Sequence, residues 1–458
     1  FAIAFYARNM ILSGSERLRA IRAMAQDKKR AVFRLLTSTS ETPGNLDISD
    51  IAREHEPDNF FRHVTSLSAS KIADGLIDPK LVLSWLLTAL GAPAGLLGLL
   101  VPIREAGALF PQMFTAGALR QLKRRKWAWA GGALVEGMAA IAMGLAALLL
   151  TGAVAGWVIL GALAMLALAR SVCSVTYKDV LGKTIAKSRR GTATGTAGTI
   201  GAGAVLAYGV LLAFAGEGRL ALVTGGLVLA GVLWIAGAVV FASIAEEASE
   251  QETGSGPARR LAEDLGLLAR DAQLRRFILV RALLTSTALA PPFMVALGTQ
   301  AQSARNMFGG LGLLVVASAG AGLLSSYVWG RLADRSSRKV LILTGLAGAL
   351  ALFGTLGLNV AGLLAANAGL PVMIFILMIA YQGVRLGRST HLVDMATAET
   401  RAAYTALSNT IIGMVLILGG GFSLVASYAG LATVIAILGV MSALAAVSAL
   451  GLEEVQSG

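Results

Sequence analysis

The sequence predicts an all-α polytopic membrane protein with twelve helical spans in two similar six-helix halves. Three observations carry that expectation. Hydrophobic residues fill 56% of 458 positions against 14% charged, with 54 glycines, which is more apolar surface than a water-soluble core can hide. Apolar runs recur about every 25 to 35 residues, each near the roughly 20 that a helix needs to cross hydrocarbon, and none shows the period-two alternation of a barrel strand. The third observation is an internal repeat.

Taken in order, residues 15–37 (SERLRAIRAMAQDKKRAVFRLLT) read as a cationic amphipathic helix with Leu18, Ile21, Val32 and Leu35 partly on one side, suited to an anionic inner leaflet. A polar stretch with Pro43 and Gly44 then reads as a linker to about residue 60. The opening FAIAFYARNM has too short an apolar part for a signal peptide and lacks the initiator methionine, so a trimmed start is expected. Helices are predicted at 64–90, 95–119, 127–150, 156–182, 192–215, 220–243, 276–300, 307–330, 340–362, 370–394, 403–426 and 429–451. Between the sixth and seventh, a charged segment broken by GSGP reads as a connector. The organisation is therefore an N-terminal segment (1–60), a first bundle (61–244), a connector (245–275) and a second bundle (276–458).

The formal charge of +13 would suggest nucleic-acid binding in a soluble protein, but its distribution excludes that reading. Arg120, Lys123, Arg124, Arg125 and Lys126 fill one short loop, Lys187, Arg189 and Arg190 a second, Arg331, Arg335, Arg338 and Lys339 a third. The alternate turns GAPA (91–94), TGAVAG (151–156) and SYAG (427–430) carry no charge. By the positive-inside rule the basic loops face the cytoplasm, which places both termini there and the protein in the cell inner membrane. One cysteine, Cys173, excludes an internal disulfide, and histidines at 55, 63 and 391 offer no metal-ligand spacing. No cofactor is expected.

The repeat appears on shifting the first half by 213 positions. GALRQLKRRK (117–126) then lies on GRLADRSSRK (330–339), and the same register pairs Gly107 with Gly320, Gly132 with Gly345 and Pro79 with Pro292. GRLADRSSRK resembles the signature that the major facilitator superfamily carries between its second and third helices and again between its eighth and ninth. Gly330, Asp334, Arg335 and Arg338 match, whereas the first half has Gln121 at the acidic position. The resemblance covers about residues 64–452. It implies two bundles rocking about a central cavity lined by the first, second, fourth and fifth helices of each half. It also implies a gating role for the motif residues, with Asp179 and Asp394 at the inner ends of the fourth and tenth helices.

The repeat also places VPIREAGALF (101–110). Arg104 and Glu105 fall on Ala317 and Ser318, inside an apolar run, and Arg104 lies thirteen residues from Gly117, about 20 Å along a helix. The alternative places both at the outer interface. Charge at mid-bilayer costs about 2.5 to 3.5 kcal/mol per residue on insertion scales, so it is kept where it faces a cavity or a partner. Lys71, Asp74 and Asp78 form a stripe on the first helix; Arg170 lies on the fourth, Arg281 on the seventh, and Gln382, Arg385, Arg388 and His391 on the tenth. Arg104, Arg170, Gln382, Arg385 and Arg388 are the expected substrate ligands, and Asp74 and Glu105 the expected proton-coupling carboxylates. Glu136 reads as a packed carboxylate with a partner. Gly191, Gly195, Gly198, Gly201 and Gly203 read as sites of close helix approach. VLGKT (180–184) echoes a phosphate-binding loop but has Tyr177 where the first glycine is needed. No nucleophile, base and orienting group assemble into an enzyme.

The expected function is secondary active transport of a small anionic or amphipathic organic solute by alternating access, with proton coupling and a monomeric chain in the bilayer. A lipid or lipophilic-drug exporter of the same fold, or an assembly factor that moves nothing, are the alternatives.

Overall fold

The structure is a computed structural model that describes residues 31–33, 37, 48–109, 111, 121–248, 266–301, 310–364, 369–396 and 401–455. Its elements are α1 (Asp50–Leu76), α2 (Val82–Ala89), α3 (Ala94–Leu97), α4 (Leu100–Leu109), α5 (Lys126–Leu149), α6 (Gly152–Thr184), α7 (Lys187–Phe214), α8 (Arg219–Ala242), α9 (Ala272–Leu283), α10 (Ser286–Ala301), α11 (Gly310–Arg335), α12 (Ser337–Val360), α13 (Gly369–Met395), α14 (Arg401–Gly419), α15 (Phe422–Ala429) and α16 (Leu431–Ala449). Ten helices, some of them jointed, are long and apolar enough among the described residues to cross a membrane. They coincide with the third to twelfth predicted spans. The first two predicted spans fall on jointed helices, α1 with α2 and α3 with α4, and residues 112–120 lie outside the described set.

The joints have local causes. Pro79 disfavours helix at the residue before it and supplies no N–H. Asp78 Oδ1 accepts from the backbone N–H of Lys80 at 2.8 Å and Leu81 at 2.9 Å, starting α2. Asp78 therefore closes the turn that leads into α2, and the predicted stripe with Lys71 and Asp74 ends at Asp74. Gly420 and Gly421 separate α14 from α15.

Two other expectations are corrected. The linker placed up to residue 60 is helical from Asp50, because its polar groups are individually satisfied. Ser49 Oγ caps Ala52 N–H at 3.1 Å, Glu56 accepts from the N–H of Ala186 at 2.9 Å, and Asn59 exchanges two hydrogen bonds with the Ala245 backbone. The boundary at residue 60 thus cuts a helix. The amphipathic helix of 15–37 lies mostly outside the described residues, although Phe33 packs edge-on against Phe60 at 5.3 Å. The basic segment 330–339 is helix rather than loop, since RLADR contains no breaker and only Ser336 intervenes, its Oγ capping Lys339 N–H at 3.1 Å.

Within the first half, α5 packs on α6 and α8, α1 on α7 and α8, and α4 on α6; the second half repeats this with α12 on α13 and α16 and α11 on α13. Gly107 faces Ala167 of α6, and its repeat partner Gly320 faces Phe375 of α13. Of the five α7 glycines expected at close helix approaches, only Gly201 is near a neighbour, a Cβ there standing 2.8 Å from Lys71 Cβ; the other four open onto space. The outward surface is apolar, with Val360 and Tyr428 about 90% exposed, as a hydrocarbon solvent requires.

The halves meet through α7 with α11, α4 with α14, and α3 with α15. At Gly312 a Cβ would stand 2.1 Å from Ala213 N, and at Gly98 2.6 Å from the Phe293 ring. These contacts lie toward the ends that carry the uncharged turns.

Candidate functional site

The charged residues inside the bundle form two groups. The first lies within the first half. Asp74 of α1 accepts from Arg104 of α4 on Oδ1 at 2.5 Å and from Arg170 of α6 on Oδ2. Arg170 also donates to Ser70 Oγ at 2.8 Å and approaches Glu136 Oε1 of α5 at 3.5 Å. Trp234 Nε1 donates to the same Ser70 Oγ at 3.1 Å, which fixes the hydroxyl. Glu136 is fully buried. Arg104 and Arg170 are thus already held by a carboxylate.

The second group joins the halves. Lys80, after the α1–α2 joint, lies 3.3 Å from Glu105 Oε1 and 4.0 Å above the Tyr381 ring of α13. Tyr381 Oη donates to the same Glu105 oxygen at 3.4 Å. Beside this triad is a narrow cleft with a cavity of ≈ 30 Å³, lined by Glu105, Arg281, Thr285, Tyr381, Arg385 and Arg388 among others. Arg281 is 6% exposed and donates to Ser408 Oγ and, at 2.8 Å, Asn409 Oδ1, both neutral acceptors. Arg385 is 6.0 Å from the Tyr381 ring centroid. Among the described residues, none of Arg281, Arg385 and Arg388 has a carboxylate within ion-pair distance. Glu105, the one acid lining the cleft among the described residues, is held by Lys80. The second-half wall therefore presents three guanidinium groups, with donor geometry suited to carboxylate or phosphate oxygens.

Arg104 and Glu105 are on one helix and face different partners, as neighbours about 100° apart must. Gln382 lies off the cleft, its Nε2 3.2 Å from where a Gly322 Cβ would stand. His391 bonds Ser337 Oγ at 2.8 Å and stacks on Phe277 at 5.3 Å.

At the basic-loop ends, Asp179 pairs with Arg125 and, at 2.9 Å, Lys183. Glu246 accepts from the N–H of Arg125 at 3.0 Å and of Lys126 at 2.8 Å, closing the first turn of α5. The second half answers with Glu454, which accepts from Ser336 Oγ and lies 3.7 Å from Arg338 Nε. These pairs stay within their own halves. Asp334 and Arg335 are exposed, with no ion-pair partner among the described residues, and Asp394 is exposed on the last turn of α13. At Gly330 a Cβ would meet nothing within 4 Å, so packing demands no glycine there. Glu246 and Glu454 escaped the sequence reading because they follow the last apolar run of each half. The signal was the doubled acid Glu246-Glu247 and Glu453-Glu454 at those two points.

Comparison with solved structures finds transporters. A mutant form of the nucleoside transporter NupG superposes with a TM-score of 0.67 at 13% identity, covering 86% of this chain and 100% of that one. A POT family transporter in complex with 5-aminolevulinic acid gives 0.64 at 11%, covering 85% and 95%. The inward open conformation of the xylose transporter XylE from E. coli gives 0.61 at 10%, covering 86% and 95%. No family model matches the sequence, and no curated protein does. The chain has the fold of these transporters, with ten helices long and apolar enough to cross a membrane among the described residues.

Proposed function

We propose that the chain is a secondary transporter that moves a small organic anion across the cytoplasmic membrane by alternating access, as a monomer with both termini in the cytoplasm. Helices α1 to α8 and α9 to α16 act as the two rocking bundles. The observation that carries this reading is the uncompensated guanidinium wall of Arg281, Arg385 and Arg388 in the cleft between them. Arg281 is buried, Arg388 half-buried and Arg385 exposed on this one wall, and an anion with two or more acceptor oxygens would engage them by charge-assisted hydrogen bonds. Arg104 and Arg170, committed to Asp74, hold the first-half wall in shape and set its charge.

A thermal-shift screen of carboxylates and phosphate esters on the purified protein tests it, followed by uptake or efflux of each hit in proteoliposomes. Hits should stabilise by mass action. Arg388→Ala and Arg385→Ala should each weaken them by roughly 10- to 100-fold, since a hydrogen bond to a charged group is worth about 1.5 to 3 kcal/mol. Stabilisation only by neutral or cationic compounds, undiminished in both variants, overturns the reading.

A further inference from the structure

Glu136 has no role in the reading above, yet among the described residues it is the most enclosed acid in the bundle. It sits on α5 with no solvent exposure, its Oε1 3.5 Å from Arg170 Nη1, and its Oε2 has no hydrogen-bond partner. A bare carboxylate oxygen in such a place loses its hydration without recompense. The reason for the shortfall is visible next door. Two guanidinium groups and two carboxyls share this chamber, and Asp74 takes both cations, Arg104 on one oxygen and Arg170 on the other. The charged and titratable groups around Glu136 are Arg170 and Cys173 from α6, Asp74 from α1 and Arg104 from α4, with Lys71 of α1 acting in turn on Asp74 and Arg170; Ser70 of α1 and the Trp234 indole of α8 reach the site through Arg170.

Two cations on one carboxylate is the arrangement expected when the second acid is neutral. We propose that Glu136 is the proton-carrying carboxyl of the transport cycle, protonated in the conformation seen here, and that Arg170 hands its charge from Asp74 to Glu136 when the proton leaves. The step balances. The Glu136 carboxylic O–H bond breaks and its proton passes to water; Arg170 turns from Asp74 Oδ2 to the new carboxylate; Asp74 keeps Arg104. Each acid then holds one guanidinium, and the net charge of the four groups falls from +1 to zero. An anion in the adjoining cleft is favoured by the +1 state, so proton and anion binding reinforce one another, reciprocally. That link to an anion rests on the proposed function; the protonation of Glu136 does not. It also moves the coupling role from Asp74 and Glu105, which are held by three basic side chains.

Infrared difference spectroscopy of the protein in lipid nanodiscs, titrated with pH, reads the site without any ligand. A protonated-carboxyl carbonyl band should be present at neutral pH, be lost in Glu136→Gln and persist at a shifted frequency in Glu136→Asp. The aspartate variant keeps the test open should the glutamine variant fold poorly. A band unchanged in Glu136→Gln, or no titrating band at all, overturns the proposal and leaves the arginine-wall reading standing. With an anion found by the thermal screen, Kd of the wild type should rise with pH, by up to about tenfold per unit for one linked proton. The glutamine variant should bind with a pH-independent Kd. The same pH dependence in both overturns the coupling.

Discussion

The Lys80 ammonium stands 4.0 Å above the ring of Tyr381, and so ties the joint of the first helix to the tenth across the cleft between the halves. Both side chains also meet Glu105. A cation over an aromatic face is worth up to about 2 kcal/mol when desolvated. Lys80→Met should therefore shift the balance of conformations away from this one by roughly 5- to 30-fold, and Tyr381→Phe, which keeps the ring and loses the hydroxyl, by less. The chain has one cysteine, buried Cys173. Single cysteines placed in the uncharged turns of a Cys173→Ala background report the shift by labelling rate, which should rise in Lys80→Met.

Gly312 should act at the outer contact. A Cβ there would stand 2.1 Å from the Ala213 backbone nitrogen, and backbone does not yield as a flexible side chain does. Gly312→Ala should hold the C-terminal end of α7 and the N-terminal end of α11 apart and raise labelling of the uncharged turns on the same side. Gly225→Ala, where a Cβ meets nothing within 4 Å, should leave labelling unchanged.

Asp74 is the anchor of the first chamber. Removing one partner from a buried charge cluster costs about 3 to 5 kcal/mol, because the remaining charge is left unpaired. Asp74→Asn should lower thermal stability strongly. Arg170→Met combined with Asp74→Asn should cost less than Asp74→Asn alone, since the double change removes a cation together with the acid nearest to it.

Asp271, just outside the seventh span, gives a pH signature. Burial alone would raise its carboxyl, but the hydrogen bond from Tyr404 Oη at 2.6 Å and the N–H groups of Leu274 and Gln273 hold it below the ordinary value of 3.8. A depressed value in the folded state means a contribution that is present above 3.8 and lost as pH falls through the folded value. The stability difference between wild type and Asp271→Asn should be full at neutral pH and close on acidification below 3.8. A difference that stays constant there contradicts the assignment.

What the sequence made legible was set by hydrocarbon. Spans three to twelve could be read because each is a long apolar run, and the repeat could be read because Gly107 and Gly320 face the fourth helix of their own half. The helix through Pro57 was not legible, since it depends on hydrogen bonds to residues whose positions only the fold decides; the joint at Asp78 has a local cause, the Asp78–Pro79 pair, which the apolar run on either side of it hid. The charged residues of the site could be named from the cost of burying them. Their pairing could not: periodicity puts Arg104 and Arg170 on cavity helices, but that both turn to Asp74, while Arg281, Arg385 and Arg388 line the cleft, depends on the rotation of each helix in the fold.

Glu56 and Asn59 bear on how the protein can be shortened. Through them the polar start of the first helix grips the entry to the fifth and the exit from the sixth. A trimmed version beginning at 61 would remove both clasps and confuse injury to the scaffold with loss of any service performed by the preceding segment. A cut just ahead of Ser49 keeps them, and is where the contribution of that segment can be measured cleanly.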